Sequence, residues 1–128
     1  MKKVTGIGGI FFKCKDTAKM KDWYAKNLGF PTNEWGTMFE WQQADERVKN
    51  GVTTWSTFPE NTTHFEPSTK DYMINYRVEN IDDLVEQLKS DGITIVDEVV
   101  TYAEYGKFVH ILDPEGNKIE LWEPVDEG

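Results

Sequence analysis

The stretch Tyr72-Met73-Ile74-Asn75-Tyr76-Arg77-Val78-Glu79-Asn80-Ile81-Asp82-Asp83-Leu84-Val85-Glu86-Gln87-Leu88-Lys89-Ser90-Asp91-Gly92 changes its hydrophobic period halfway along. Up to Val78 it alternates. Ile74, Tyr76 and Val78 share one side and Met73, Asn75 and Arg77 the other, the period of a half-buried strand. From Ile81 the apolar residues Ile81, Leu84, Val85 and Leu88 fall at i, i+3, i+4 and i+7, one stripe of a helix. Asn80 suits the N-cap and Gly92 a left-handed stop. A strand therefore runs into a helix that packs back on it through Ile74, Tyr76 and Val78. Asp82, Asp83 and Glu86 lie on the outer, solvated side of that helix.

Working outward, the same order occurs twice. After Gly92 come the strand-like runs Ile93 to Val99, Lys107 to Leu112 and Lys118 to Trp122. The last two are joined by Asp113-Pro114-Glu115-Gly116-Asn117, strong turn chemistry. In the first half, Ile7 to Cys14 reads as a strand and Thr17 to Leu28 as a helix with the stripe Met20, Trp23, Tyr24 and Leu28. Asp16 and Gly29 suit its ends. The runs Met38 to Gln42 and Val52 to Phe58 follow, with a short edge piece near Thr32 to Trp35. Residues 59–71 are polar with two prolines and form a linker. The reading is a single α+β domain over 1–128: module one 4–58, linker 59–71, module two 72–124. Two βαβββ modules predict eight strands in a cupped mixed sheet with helices outside. The helix-free faces cover each other or leave a groove.

Alternation says what that groove contains. In the last strand Ile119 and Leu121 suit the helix side, so Lys118, Glu120 and Trp122 share the opposite face with Met73, Asn75 and Arg77. In the first strand Ile10, Phe12 and Cys14 suit the helix side, leaving Gly9, Phe11 and Lys13 opposite. On Lys107 to Leu112, parity alone does not choose between Phe108, His110, Leu112 and Lys107, Val109, Ile111. Apolar groups with a few convergent polar ones are the make-up of a small-molecule pocket.

Composition narrows the partners. The 128 residues carry 23 acidic against 14 basic side chains, a net charge of −9 with no basic stripe, which argues against nucleic acid. The lone Cys14 makes no internal disulfide, suiting a reducing, cytoplasmic setting. Val4 to Phe12 is short for a signal segment, and no run approaches the roughly 20 apolar residues of a membrane helix.

Three stretches now read together: Asp16 to Phe30 with Trp23-Tyr24 and Leu28-Gly29-Phe30, Met73 to Asn80, and Asp113-Pro114-Glu115-Gly116-Asn117-Lys118-Ile119-Glu120-Leu121. Nearly the whole chain resembles the vicinal oxygen chelate superfamily, which includes glyoxalase I, bleomycin- and fosfomycin-resistance proteins and ring-cleaving dioxygenases. The resemblance implies the paired-module fold, a pocket between modules and a homodimer, which open strand edges also favour. Metal-dependent members take a divalent ion from both halves. Here the corresponding places fall on Gly9, near Thr54 or Trp55, on Met73 and on Glu120. Only Glu120 is an ordinary ligand, so the expectation is no metal and no cofactor. A rearranged set of His110, Glu120 and Glu40 is the alternative. His64 falls in the linker, outside the expected places. By register with the terminal turn, fosfomycin-resistance proteins put a pocket side chain where His110 stands, which turns Phe108, His110 and Leu112 inward.

The expected site is therefore Glu120 and His110 for acid–base chemistry, with Met73, Asn75, Arg77, Phe108, Trp122 and Trp55 binding the ligand. The expected function is metal-free small-molecule binding. The other reading is a lyase, isomerase or dioxygenase with a rearranged metal site.

Overall fold

In the computed structural model the described residues are 4–43 and 50–125. The chain enters as β1 (Val4–Cys14) and turns into α1 (Thr17–Leu28), followed by β2 (Thr37–Gln42) and β3 (Asn50–Pro59). Then come β4 (Tyr72–Val78), α2 (Ile81–Ser90), β5 (Val100–Tyr102), β6 (Gly106–Leu112) and β7 (Lys118–Pro124). These strands make one mixed sheet in the order β2-β3-β1-β4-β7-β6-β5. The two modules join edge to edge within one chain, where β1 pairs antiparallel with β4.

Local chemistry accounts for the helix ends. The Asp16 carboxylate accepts from Lys19 N, and Gly29 closes α1 at φ 73°. The start of α2 departs from expectation. Asn80 takes a left-handed backbone and its side chain donates to Asp83 rather than capping. The first free N–H of α2, on Ile81, donates instead to Glu123 on β7 at 2.6 Å. This ties helix to sheet across 42 residues.

Two expected strands are not strands. Around Thr32 to Trp35 the Asn33 side chain accepts from both Trp35 N and Gly36 N, an Asx-type turn in place of a ladder. In Ile93 to Val99 only Ile95 bridges the sheet, opposite Ile111. There the Asp97 carboxylate accepts from His110 N at 2.8 Å, taking the donor that a strand carbonyl would have used. The strand pairing with β6 begins further on, at Val100.

The core lies between module two and α2: Val78, Ile81, Leu84, Val85, Val109, Ile111 and Leu121, with Tyr76, Leu88, Ile95, Val99 and Ile119 packed around it. Val109, Ile111 and Leu121 therefore face the helix, and their neighbours Phe108, His110, Glu120 and Trp122 take the other face. No helix of the described residues is long and apolar enough to cross a membrane.

Candidate functional site

The helix-free face of module two is set by strand register. Asn75 stands opposite Glu120 and Arg77 opposite Trp122 in the parallel β4–β7 pair. His110 and Phe108 stand opposite Glu120 and Trp122 in the antiparallel β6–β7 pair. Each partner in such a pair points to the same side, so three strands deliver their polar groups to one place. Met73, Asn75, Arg77, His110 and Glu120 are all buried there.

At its centre is a chain of hydrogen bonds. Asp97 Oδ2 lies 2.7 Å from His110 Nδ1, and His110 Nε2 lies 2.8 Å from Glu120 Oε2. Asn75 Nδ2 donates to Glu120 Oε1 at 2.7 Å. Burial works against charge on His110, but the hydrogen bond and charge of Glu120, followed by those of Asp97, outweigh it. The imidazole pKa is raised, and a doubly protonated ring can donate to both carboxylates at once. Asn75 Oδ1 is buried with no hydrogen-bond partner among the described residues. It sits against Gly8, where a Cβ would collide with it and with the Trp122 ring, so the close approach of β1 requires glycine there.

Beside this chain lies Arg77. Its guanidinium carbon is 5.7 Å from the Trp41 ring centre and 5.1 Å from that of Trp122, held between two aromatic faces. Trp122 stacks on Phe108 at 5.8 Å with 4° between planes and donates its indole N–H to Tyr105 O.

The linker brings a residue that sequence reasoning left out. The His64 ring stacks on Phe58 at 5.4 Å and meets the His110 ring edge-on at 5.7 Å. His64 Nε2 is 3.8 Å from Glu120 Oε2. Lys118 Nζ donates to His64 O at 2.6 Å and pins the linker at this point. Burial, against the pull of Glu120, keeps the His64 ring below its ordinary pKa. Phe65 alongside is fully buried. No sequence pattern placed His64 here, because the contact depends on how an irregular segment folds over the sheet. Asp97, read as part of a strand, was likewise missed.

One expected ligand-binding residue lies elsewhere. Trp55 pairs with Ile10, not Gly9, in the parallel register of β1 and β3, and so points to the helix side. It packs there against Phe12, Tyr24 and Phe30, with ring centres 5.4, 4.7 and 5.1 Å away. Glu40 is exposed on β2, four strand spacings from β7, roughly 19 Å by ordinary sheet geometry. The rearranged set of His110, Glu120 and Glu40 is not brought together.

The glyoxalase/bleomycin resistance protein/dioxygenase superfamily model matches residues 6–121. The chain belongs to this superfamily. Solved structures of the same fold include methylmalonyl-CoA epimerase from Mycobacterium tuberculosis, 20% identical with a TM-score of 0.64, covering 97% of this chain and 91% of that one. Streptomyces coelicolor methylmalonyl-CoA epimerase in complex with 2-nitronate-propionyl-CoA gives a TM-score of 0.70 at 14% identity, with 96% and 99% covered. A superfamily member from Vibrio splendidus 12B01 gives 0.55 at 14% identity, with 91% and 97% covered. A comparison with curated proteins finds no match.

A divalent ion held in the superfamily's usual manner does not fit this member. Gly9 has no donor atom, and the space beyond its Cα is taken by the Phe11 ring, 2.6 Å from where a Cβ would stand. Met73 offers only a thioether, a poor partner for hard or borderline divalent ions.

Proposed function

We propose that this chain binds a small organic molecule bearing an acidic or enolate-like oxygen on the helix-free face of module two. Arg77 carries the reading. A nearly buried guanidinium between two tryptophan rings is a planar, two-point grip for such an oxygen, with apolar contact on either side. Met73, Phe108 and Trp122 supply further apolar surface, and Asn75 and Glu120 the polar rim. A chain of net charge −9 with Arg77 enclosed this way suits a small ligand and not nucleic acid. The free, buried Cys14 fits a reducing, cytoplasmic setting. The working form is a homodimer, a reading supported by β2 and β5 ending the sheet without a strand partner among the described residues.

The test is a thermal-shift screen of aromatic acids and oxo-acids, followed by titration of any hit. Arg77→Ala is expected to weaken binding by at least about 1.5 kcal/mol, roughly tenfold. Lys89→Ala, on the exposed side of α2, should change nothing. Equal small effects from both, with the fold intact, would remove the assignment.

The second reading is an enzyme of the superfamily's lyase, isomerase or dioxygenase kind. Its support is the Asp97–His110–Glu120 chain, in which Asp97 orients the ring and His110 and Glu120 can exchange a proton. Glu120→Gln with ligand affinity kept and turnover lost would favour it.

A further inference from the structure

We propose that His64, His110 and Glu120 form a divalent-cation site of zinc type, with two imidazole nitrogens and one carboxylate oxygen as donors. This is a different donor set from the superfamily's usual one, of which only Glu120 is retained. It also departs from the expectation of no metal, which rested on Gly9 and Met73 standing where ligands would be, with His64 in the polar linker outside the expected places.

The distances fit an ion with little movement. Zinc bonds of about 2.0–2.2 Å in near-tetrahedral geometry put neighbouring donor atoms roughly 3.4 Å apart. Here His110 Nε2 and His64 Nε2 lie 2.8 and 3.8 Å from Glu120 Oε2, and each of the three residues offers a ligand atom within 4.8 Å of those of the other two. Three protein donors leave a coordination position for water or an organic oxygen, as open zinc sites do.

What separates this cluster from a chance meeting of side chains is its support. Asp97 holds His110 Nδ1 at 2.7 Å, and Asp97 also fixes the backbone N–H of the same residue. With the Nδ1 proton given to Asp97, the Nε2 lone pair of a neutral ring points at a carboxylate oxygen. That arrangement needs a positive species between them, a second proton or a metal ion. Asn75 occupies Glu120 Oε1 and so leaves Oε2 as the ligating oxygen. A carboxylate behind one histidine and an amide behind the glutamate are the outer contacts that orient metal ligands. His64 is oriented by its stack on Phe58 and by Lys118 on its carbonyl. The Lys118 ammonium opposes a cation nearby, although that carbonyl already engages it.

The test uses tag-free full-length protein freed of metal by a chelator, titrated with Zn²⁺ by calorimetry and with Co²⁺ by visible absorption. The expected result is one ion per chain, a raised melting temperature, and cobalt ligand-field bands of a four- or five-coordinate nitrogen–oxygen site. His64→Ala, a half-exposed linker change that leaves the sheet folded, should abolish stoichiometric uptake. Asp97→Asn should weaken it by about 10–100-fold. Glu40→Gln should have no effect. Folded wild-type protein that takes up no zinc would overturn the proposal, and so would uptake equal in wild type and His64→Ala. The outcome is separate from the Arg77 test, which reads an organic ligand without added metal.

Discussion

Asp113 illustrates how one side chain can hold a turn that the site depends on. Its Oδ1 accepts from the backbone N–H of Glu115 and Asn117, and its Oδ2 from the Asn117 amide. These bonds, those of Asn117 first, hold the carboxyl below its usual pKa. Folding thus favours the ionised form. That contribution is complete above the ordinary aspartate value and is lost as pH falls through the lower, folded one. Asp113→Ala should lower the melting temperature at neutral pH, and its gap to wild type should narrow in acid; melting curves across pH would check this, and a gap unchanged into strong acid would count against it. Asp113 was legible in sequence because turn chemistry is local. Asn75, Arg77, Glu120 and Trp122 were legible because alternation is local too. The parity of β6 was not, and the terminal-turn register placed His110 on the site face where the structure has it. Trp55 lies off the site face because the β1–β3 register sets it opposite Ile10, on the side where it packs against Tyr24 of α1, and an aromatic residue in a strand does not by itself encode that side. His64 and Asp97 reach the site from irregular segments, whose course no periodicity encodes.

The two helices show the limit of stripe reading at the scale of elements. Both had clean apolar stripes, and both occupy the expected residues. Yet α2 buries Ile81, Leu84 and Val85, while α1 has no buried residue at all. Tyr24 of α1 packs on Trp55 and Phe30, but Trp23 and Leu28 remain 53% and 57% exposed. The stripe says which side faces the sheet, not how much sheet lies beneath it, and α1 meets the sheet chiefly along β3. The stability consequences differ accordingly. Leu84→Ala should cost about 2–5 kcal/mol, the range for a buried leucine cavity. Leu28→Ala should stay within about 0.5 kcal/mol, as exposed positions do. Denaturant unfolding of both variants checks the contrast, and equal costs would mean that α1 is covered in solution by something other than its own sheet.

That possibility belongs to the whole molecule. The paired-module plan follows from a repeat of strand, helix and strands, and the register puts β1 of one module beside β4 of the other within a single chain. Among the described residues the sheet so formed still ends in two open edges, β2 and β5. Exposed edges invite pairing, and proteins normally cover or blunt them. Module one also carries apolar surface that its own fold leaves in water: Trp23, Leu28, Trp35, Met38 and Phe39 are all exposed. Trp23, Tyr24, Phe30 and Phe39 form a continuous run of ring contacts from α1 across to β2. A second copy, related by a twofold axis, would bury this patch against itself and shield the β2 edge at the same time. Light scattering on the purified protein should then give twice the mass of the 14.8 kDa chain at micromolar concentration. The double change Trp35→Ser and Met38→Ser, at two of the most exposed apolar positions, should shift it towards the monomer while leaving the far-ultraviolet circular dichroism unchanged. A monomer mass for the wild type across that concentration range would show that the patch serves some other contact.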